Sequence, residues 1–403
     1  MPELYLLSET ESLPSGHPAL ERFKDLGMIV NFDEEAALLS MAGLASGVPF
    51  EVCLTICPTV ACNFDCPYCF QNHIRGSMSQ KVQDDTVTLA EQLLKLSGAH
   101  KLRVRWFGGE PLLYPDIIDN LSRRLIDLAD KYEADYKAWI ITNGYLLTQD
   151  ICDMLGRSKV TSAQITIDGP EHIHNATRRL AGGGGTFDKI TTNLSTLKIP
   201  FKVKIRCNLH SENYKYKDDV KKLTEELALR SGNNYEFNPV FMESHYIKSK
   251  DKDKVKPASY DVFYNKCLED FAAKSGPSAG RFCEANNFWQ ICINDRGRLF
   301  RCWEIPDEEE DSFGSVSDWN PEDPIRTADN PDRFTYYINA SNPFANENCK
   351  GCVWFPKCLG SCPHTRRAEG YRCVPWKDDP DAYVLSVYKN KFEHNKPKDM
   401  TDG

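Results

Sequence analysis

Between about residue 50 and residue 275, short apolar runs alternate with longer stretches in which apolar positions recur every three to four residues. This is the pattern of strands followed by amphipathic helices. Six strand candidates stand out: EVCLTIC from Glu51, KLRVRWF from Lys101, KAWIITN from Lys137, SAQITID from Ser162, FKVKIRCNL from Phe201 and YEFNPVF from Tyr235. Each is followed by a helical stretch, which predicts repeated βα units on a parallel sheet. Six units fall short of a closed eightfold barrel. The expected fold is therefore α/β, a partial (β/α)6 barrel with its functional site at the C-terminal strand ends, where the βα loops gather.

The flanks differ from this span of 51–275. Residues 1–50 form an N-terminal extension with helical pieces at 18–26 and 33–45. A linker rich in Lys, Asp and Ser, SKDKDKVKPAS from Ser249, precedes one more helical stretch. From 281 to 380 the periodicity fades while cysteine density rises, which predicts a second domain built around metal. So weak an apolar pattern cannot fill a core of its own, and bound metal would supply folding free energy directly. A C-terminal helix and a polar tail are expected over 381–403.

Composition narrows the function. At 403 residues, 41% hydrophobic and 27% charged, the chain has the balance of an ordinary globular protein. Its formal net charge of -9 argues against a chain-wide phosphate-binding surface, so nucleic acid is not an expected partner. No apolar run approaches the roughly 18 residues that span a bilayer, and no cationic-then-apolar leader opens the chain; a cytoplasmic protein is expected, with no membrane partner. Sixteen cysteines are many for a chain in a reducing compartment, where structural disulfides are rare and thiolates usually ligate metal.

Cys62, Cys66 and Cys69 follow the first strand as C-x3-C-x2-C in ACNFDCPYCF. Four soft ligands close a site, whereas three leave one iron of a [4Fe-4S] cube open to bind something else. A structural zinc site is the competing reading. The next strand ends in WFGGEPLL, placing Gly108, Gly109, Glu110 and Pro111 on the same face. Glycines there permit close backbone approach, and backbone carbonyls with one carboxylate suit a ligand's ammonium group.

This cysteine triplet and Gly-Gly-Glu-Pro loop, in this order, resemble those of the radical S-adenosylmethionine (radical SAM) superfamily, over roughly residues 50 to 275. The resemblance implies that Cys62, Cys66 and Cys69 hold the cluster, that SAM chelates the fourth iron, and that Tyr68 packs near the adenine. Thr166 in TIDGP stands where relatives often have a serine contacting SAM, and Arg178 matches their arginine. A locally satisfied strand hydroxyl and a solvated helix-start charge explain these two equally well.

Cys349, Cys352, Cys358 and Cys362 form C-x2-C-x5-C-x3-C, preceded by Cys283, Gly297 and Cys302 and followed by Cys373. The inner spacing alone arises by chance about once in a thousand. The set resembles the SPASM domain that follows the barrel in peptide- and protein-modifying radical SAM enzymes. It implies one auxiliary [4Fe-4S] cluster on Cys349, Cys352, Cys358 and Cys373, and another on Cys283, Cys302 and Cys362, making three clusters in all. The second set is one ligand short. Cys292 in WQICIND either completes it or is a small buried hydrophobe, with the iron left open. Cys53, Cys57, Cys152, Cys207 and Cys267 sit in apolar settings and are read as packing.

The implied activity is that of a radical SAM oxidoreductase. A 5'-deoxyadenosyl radical would abstract hydrogen from a ribosomally made precursor peptide and install a thioether or carbon-carbon crosslink, with a flavodoxin- or ferredoxin-type electron donor. Alternatives are an anaerobic sulfatase-maturating, formylglycine-forming enzyme, a small-molecule radical SAM dehydrogenase and an iron-sulfur electron-transfer protein. Sulfatase-maturating relatives carry aspartate where Trp303 follows Cys302, with Glu304 next to it as a displaced base. The first 50 residues are too short for the winged-helix module with which many relatives capture a leader. His172 and His174 flank the TIDGP loop, either near the site or exposed. The acidic run from Asp307 reads as a solvated loop.

Overall fold

The computed structural model describes residues 33–210, 212–241 and 282–340, then 342, 345–350, 352, 354–360, 362–369 and 373. The helical piece at 18–26, the linker from 249 with the helix after it, Cys267 and the C-terminal helix at 381–403 lie outside the described residues.

Six parallel strands form where the apolar runs predict them: β1 (Val52–Ile56), β2 (Lys101–Trp106), β3 (Asp135–Thr142), β4 (Val160–Thr166), β5 (Lys202–Leu209) and β6 (Tyr235–Phe241). They pair in sequence order, so the barrel is built by successive right-neighbour crossovers without rearrangement. Between them run α2 (Gln80–Ser97), α3 (Pro115–Lys131), α4 (Gln149–Arg157), α5 (Glu171–Thr177), α6 (Phe187–Thr196) and α7 (Lys217–Ser231), preceded by α1 (Glu34–Gly47). Local chemistry sets their ends. Ser79 caps α2 by accepting from the Val82 N–H, Gly98 ends it in a left-handed conformation at φ 61°, and Pro115 opens α3.

The region after residue 281 does not begin as a separate body. Strand β7 (Gln290–Ile293) pairs with β1 in parallel, Leu54 opposite Ile291, and β8 (Arg298–Phe300) and β9 (Gly314–Ser315) continue the sheet antiparallel. Among the described residues the sheet thus has nine strands, with β6 and β9 at its open edges. The core is shared. Ile291, Ile293, Leu299, Phe313, Trp319 and Phe334 belong to the same buried cluster as Leu54, Leu102, Val104, Ile140 and Val203 of the barrel. Burying such side chains contributes about 1.5–3 kcal/mol each, so this part does not depend on metal for its core. The apolar pattern there was hard to see because β7 to β9 have only four, three and two residues. Beyond them come α8 (Pro331–Asn339), α9 (Phe355–Cys358) and α10 (Pro363–Glu369). The acidic run is not wholly solvated either: Asp307 and Asp311 are buried.

Candidate functional site

A cavity opens at the C-terminal strand ends, the position where the βα loops of such a barrel gather. Cys62, Cys66 and Cys69 all line it, on the loop joining β1 to α2. Their loop is pinned on three sides. Toward β2, the Gly109 and Glu110 N–H groups donate to the Thr59 and Ala61 carbonyls at 3.2 and 2.8 Å. Toward α5, the Asp65 N–H donates to Arg179 O and the Ala181 N–H to Asn63 O, each at 2.9 Å. Toward the cysteine-rich region, the Asn72 N–H donates to the Asp307 carboxylate at 2.5 Å.

The first contact explains the glycines. A Cβ at Gly108 would overlap the Thr59 carbonyl, and one at Gly109 would overlap Ala61; Gly108 also has φ 118°. Both glycines line the cavity. Glu110 departs from expectation. Its carboxylate is fully buried and does not reach the cavity; it accepts from the Leu112 N–H at 3.0 Å, the Thr142 hydroxyl at 2.7 Å and the Asn143 N–H at 2.7 Å. It therefore ties β2 to β3 rather than presenting an anion at the cavity surface. Burial raises its pKa despite these donors. Pro111 opens the short turn beyond it and is also buried away from the cavity.

The three thiols are electrostatically coupled: Cys62 feels Cys66 and Cys69, and Cys69 feels Cys66. Burial raises all three, Cys69 to about 12, so ligating a metal must expel protons. His73 holds its Nε2 3.2 Å from Cys69 Sγ. Three soft donors on one wall suit an iron-sulfur cube with an open corner.

The opposite wall is polar. Tyr68, Thr166 and Arg178 all line the cavity. The Tyr68 hydroxyl donates to Asp168 and accepts from Arg178 Nη1 at 2.9 Å. Burial opposes the Arg178 charge, but Tyr68, Cys66 and Asp168 around it keep the guanidinium protonated. Its Nε is buried with no hydrogen-bond partner among the described residues, a donor suited to a carboxylate-bearing ligand such as an amino acid. The Gln71 amide nitrogen, also on the lining, is unpartnered likewise. Together with the triplet, these groups fit SAM and its cluster.

Asp168, Thr142, Asn143, Gln164, Arg206 and Asn208 were not singled out as sites from sequence. Asp168 sits inside TIDGP, and the rest are polar residues at strand ends, the position the barrel rule favours. His174 is neither exposed nor in the cavity: it is buried, with Nδ1 accepting from the Asp168 N–H at 3.3 Å. His172 lies against Tyr216 outside the cavity.

A third wall comes from beyond residue 281. Trp303 and Glu304 line the cavity, and Trp303 meets Phe107 edge-on at 5.0 Å while its other side receives the Arg105 guanidinium at 4.7 Å. Cys302 precedes them. Cys283 and Cys362 act electrostatically on Cys302, and Cys352, Cys358 and Cys373 act on Cys349, while among the described residues neither set converges on a single metal-ion site. Cys292 does not join the first. It lies in β7, packed with Cys57, Phe107 and Phe300. Because β7 is a core strand beside β1, Cys292 behaves as a small hydrophobe. Cys53, Cys57, Cys152 and Cys207 are buried, as packing residues should be.

Comparison with known proteins follows this geometry. Residues 56–223 match the model of the Radical SAM superfamily. The cysteine-type anaerobic sulfatase-maturating enzyme of Clostridium perfringens (strain 13 / Type A) is 24% identical over 374 residues, covering 84% of this chain and 94% of that protein. Among solved structures, native anSMEcpe with bound AdoMet and Kp18Cys peptide superposes with a TM-score of 0.59 at 20% identity, over 85% of this chain and 97% of that one. Streptococcus suis SuiB bound to precursor peptide SuiA gives 0.54 at 16% identity, over 91% and 83%.

Proposed function

Starting from a chain that is a radical SAM enzyme of the sulfatase-maturase group, we propose that it modifies a ribosomally made precursor peptide, installing a thioether or carbon-carbon crosslink. The observation that carries this reading is the third cavity wall. Trp303 and Glu304, next to a cysteine group suited to an auxiliary cluster, face the same space as the Cys62, Cys66 and Cys69 triplet. A substrate side chain entering there lies between the two.

When bound, SAM and its cluster supply a carbon-centred radical able to take hydrogen from an unactivated C–H bond. The protein's own work is placement and shielding. Arg178, held by Tyr68 and Asp168, orients a carboxylate; Gly108 and Gly109 keep backbone carbonyls at the cavity surface; Phe70, Phe107, Ile141 and Trp303 make an apolar side that keeps water from the reacting atoms. Two auxiliary clusters, on Cys349, Cys352, Cys358 and Cys373 and on Cys283, Cys302 and Cys362, would accept the electron left over from a net oxidation. A flavodoxin- or ferredoxin-type protein would supply reducing electrons.

Glu304 favours a second reading. As a carboxylate on the cavity wall one residue beyond the place where sulfatase-maturating relatives have aspartate, it could accept a substrate proton during formylglycine formation. Anaerobic incubation with SAM, dithionite and either a short cysteine-containing precursor peptide, sought among the reading frames beside the gene, or a sulfatase-derived peptide separates the two. A peptide lighter by two hydrogens that does not react with hydrazide supports the crosslink, with resistance to thiol alkylation marking the thioether; an aldehyde that reacts with hydrazide supports formylglycine. Unmodified peptides in both arms contradict the proposal.

A further inference from the structure

Arg301 is 3% exposed and pairs with no carboxylate among the described residues. Its guanidinium donates only to carbonyls: Nε to Ala285 O at 3.3 Å, Nη1 to Phe288 O at 3.1 Å, and Nη2 to Ala285 O at 3.2 Å and to Asn287 O. One face lies 5.6 Å from the Phe334 ring. Two other buried arginines differ. Arg105 is neutralised by Glu284 at 2.6 Å, and Arg178 sits beside Asp168. A buried, unpaired charge is costly, and carbonyl dipoles do not cancel it.

The carbonyls it grips belong to the turn directly after Cys283, and Arg301 itself directly precedes Cys302. We infer that Arg301 is the built-in counter-charge of an iron-sulfur cluster held by Cys283, Cys302 and Cys362, stabilising its more negative, reduced form and raising its reduction potential. This rests on the reading that these cysteines hold an auxiliary cluster. Arg301 is a positioning and tuning residue; it does not touch the cavity.

The test is a potentiometric titration of the anaerobic holoenzyme followed by electron paramagnetic resonance, comparing wild type with R301Q and R301K. The component that changes on SAM addition belongs to the triplet and serves as internal reference. In R301Q one SAM-insensitive component should shift downward by a tenfold change in its oxidised-to-reduced ratio, about 59 mV for one electron. R301K should stay close to wild type, and the reference component should not move. If R301Q instead loses one cluster's worth of iron while R301K keeps it, the charge is again what the site requires. No shift in any component overturns the inference, as does R301K behaving like R301Q, which would make the hydrogen-bond fork the essential feature. Iron analysis of wild type separates this failure from failure of the underlying reading: about four irons per chain would remove the auxiliary clusters themselves, and the inference with them.

Discussion

Gly109→Ala should damage the triplet site far more than its single methyl suggests. The added Cβ would meet Ala61 O, Ala61 C and Val60 O, all backbone atoms that cannot rotate away. Relief requires the cluster loop to move off the end of β2. That movement strains or breaks two hydrogen bonds, Gly109 N–H to Thr59 O and Glu110 N–H to Ala61 O. At about 1 kcal/mol each, with about 1–3 kcal/mol for overpacking, the cost is about 3–5 kcal/mol. It falls on the loop rather than on the sheet, because the Phe107 N–H to Ile56 O bond and the β1–β2 ladder lie upstream of the clash. The variant should therefore keep most of its far-UV circular dichroism, lose about four irons per chain after reconstitution, and release no 5'-deoxyadenosine. A G109A protein with a full iron load and unchanged SAM cleavage would refute the argument that the glycine exists to let the two loops touch.

Three further outcomes follow from other contacts. Arg178→Lys keeps a charge but loses the forked geometry and the free Nε; losing one charge-assisted hydrogen bond, about 1.5–3 kcal/mol, should weaken SAM binding about 10- to 150-fold by calorimetry, and an unchanged Kd would remove Arg178 from the site. Asp311 is buried between Arg333 at 3.3 Å and Arg367; Asp311→Ala should cost about 3 kcal/mol, the low end for a broken buried pair because both arginines are partly exposed, and a urea midpoint within error of wild type would contradict this. Glu110 has its pKa raised by burial, so the folded state holds that proton more tightly than the unfolded one. Its contribution to stability is complete below its ordinary value of 4.5 and is lost as pH rises through the raised folded value, at no more than about 1.4 kcal/mol per pH unit; Glu110→Gln should flatten that slope in pH-dependent denaturation, and identical slopes would show that the carboxylate does not titrate in this window.

The barrel was legible because each of its strands carries an uninterrupted apolar or alternating run, and the sequence positions of all six agree with the structure to within two residues. The triplet and the glycines were legible because their chemistry is local: three thiols within eight residues, and two residues without a side chain at a strand end. What spacing could not reveal is where a side chain turns. Glu110 looks like a ligand carboxylate in WFGGEPLL, yet three donors from its own turn and from β3 draw it inward. Cys292 reads as a possible ligand in the right interval, but its strand pairs with β1, some 240 residues earlier, and that long-range pairing fixes the thiol beside Cys57. Arg301 carried no signal at all, since an arginine before a cysteine acquires meaning only when its surroundings, among the described residues, prove to lack a counter-ion. The same holds for Asp307 and Asp311, whose burial depends on Asn72, Arg333 and Arg367 arriving from elsewhere in the chain.

The central claim is that Cys62, Cys66 and Cys69 hold an open-cornered cluster that splits SAM. Anaerobically reconstituted wild type and the variant carrying C62A, C66A and C69A should be compared, under dithionite, for 5'-deoxyadenosine release and iron content. The account predicts nucleoside release from wild type, none from the variant, and about four fewer irons in the variant with its remaining clusters intact. A wild type that binds zinc in place of iron, or a variant that still releases the nucleoside, would contradict it.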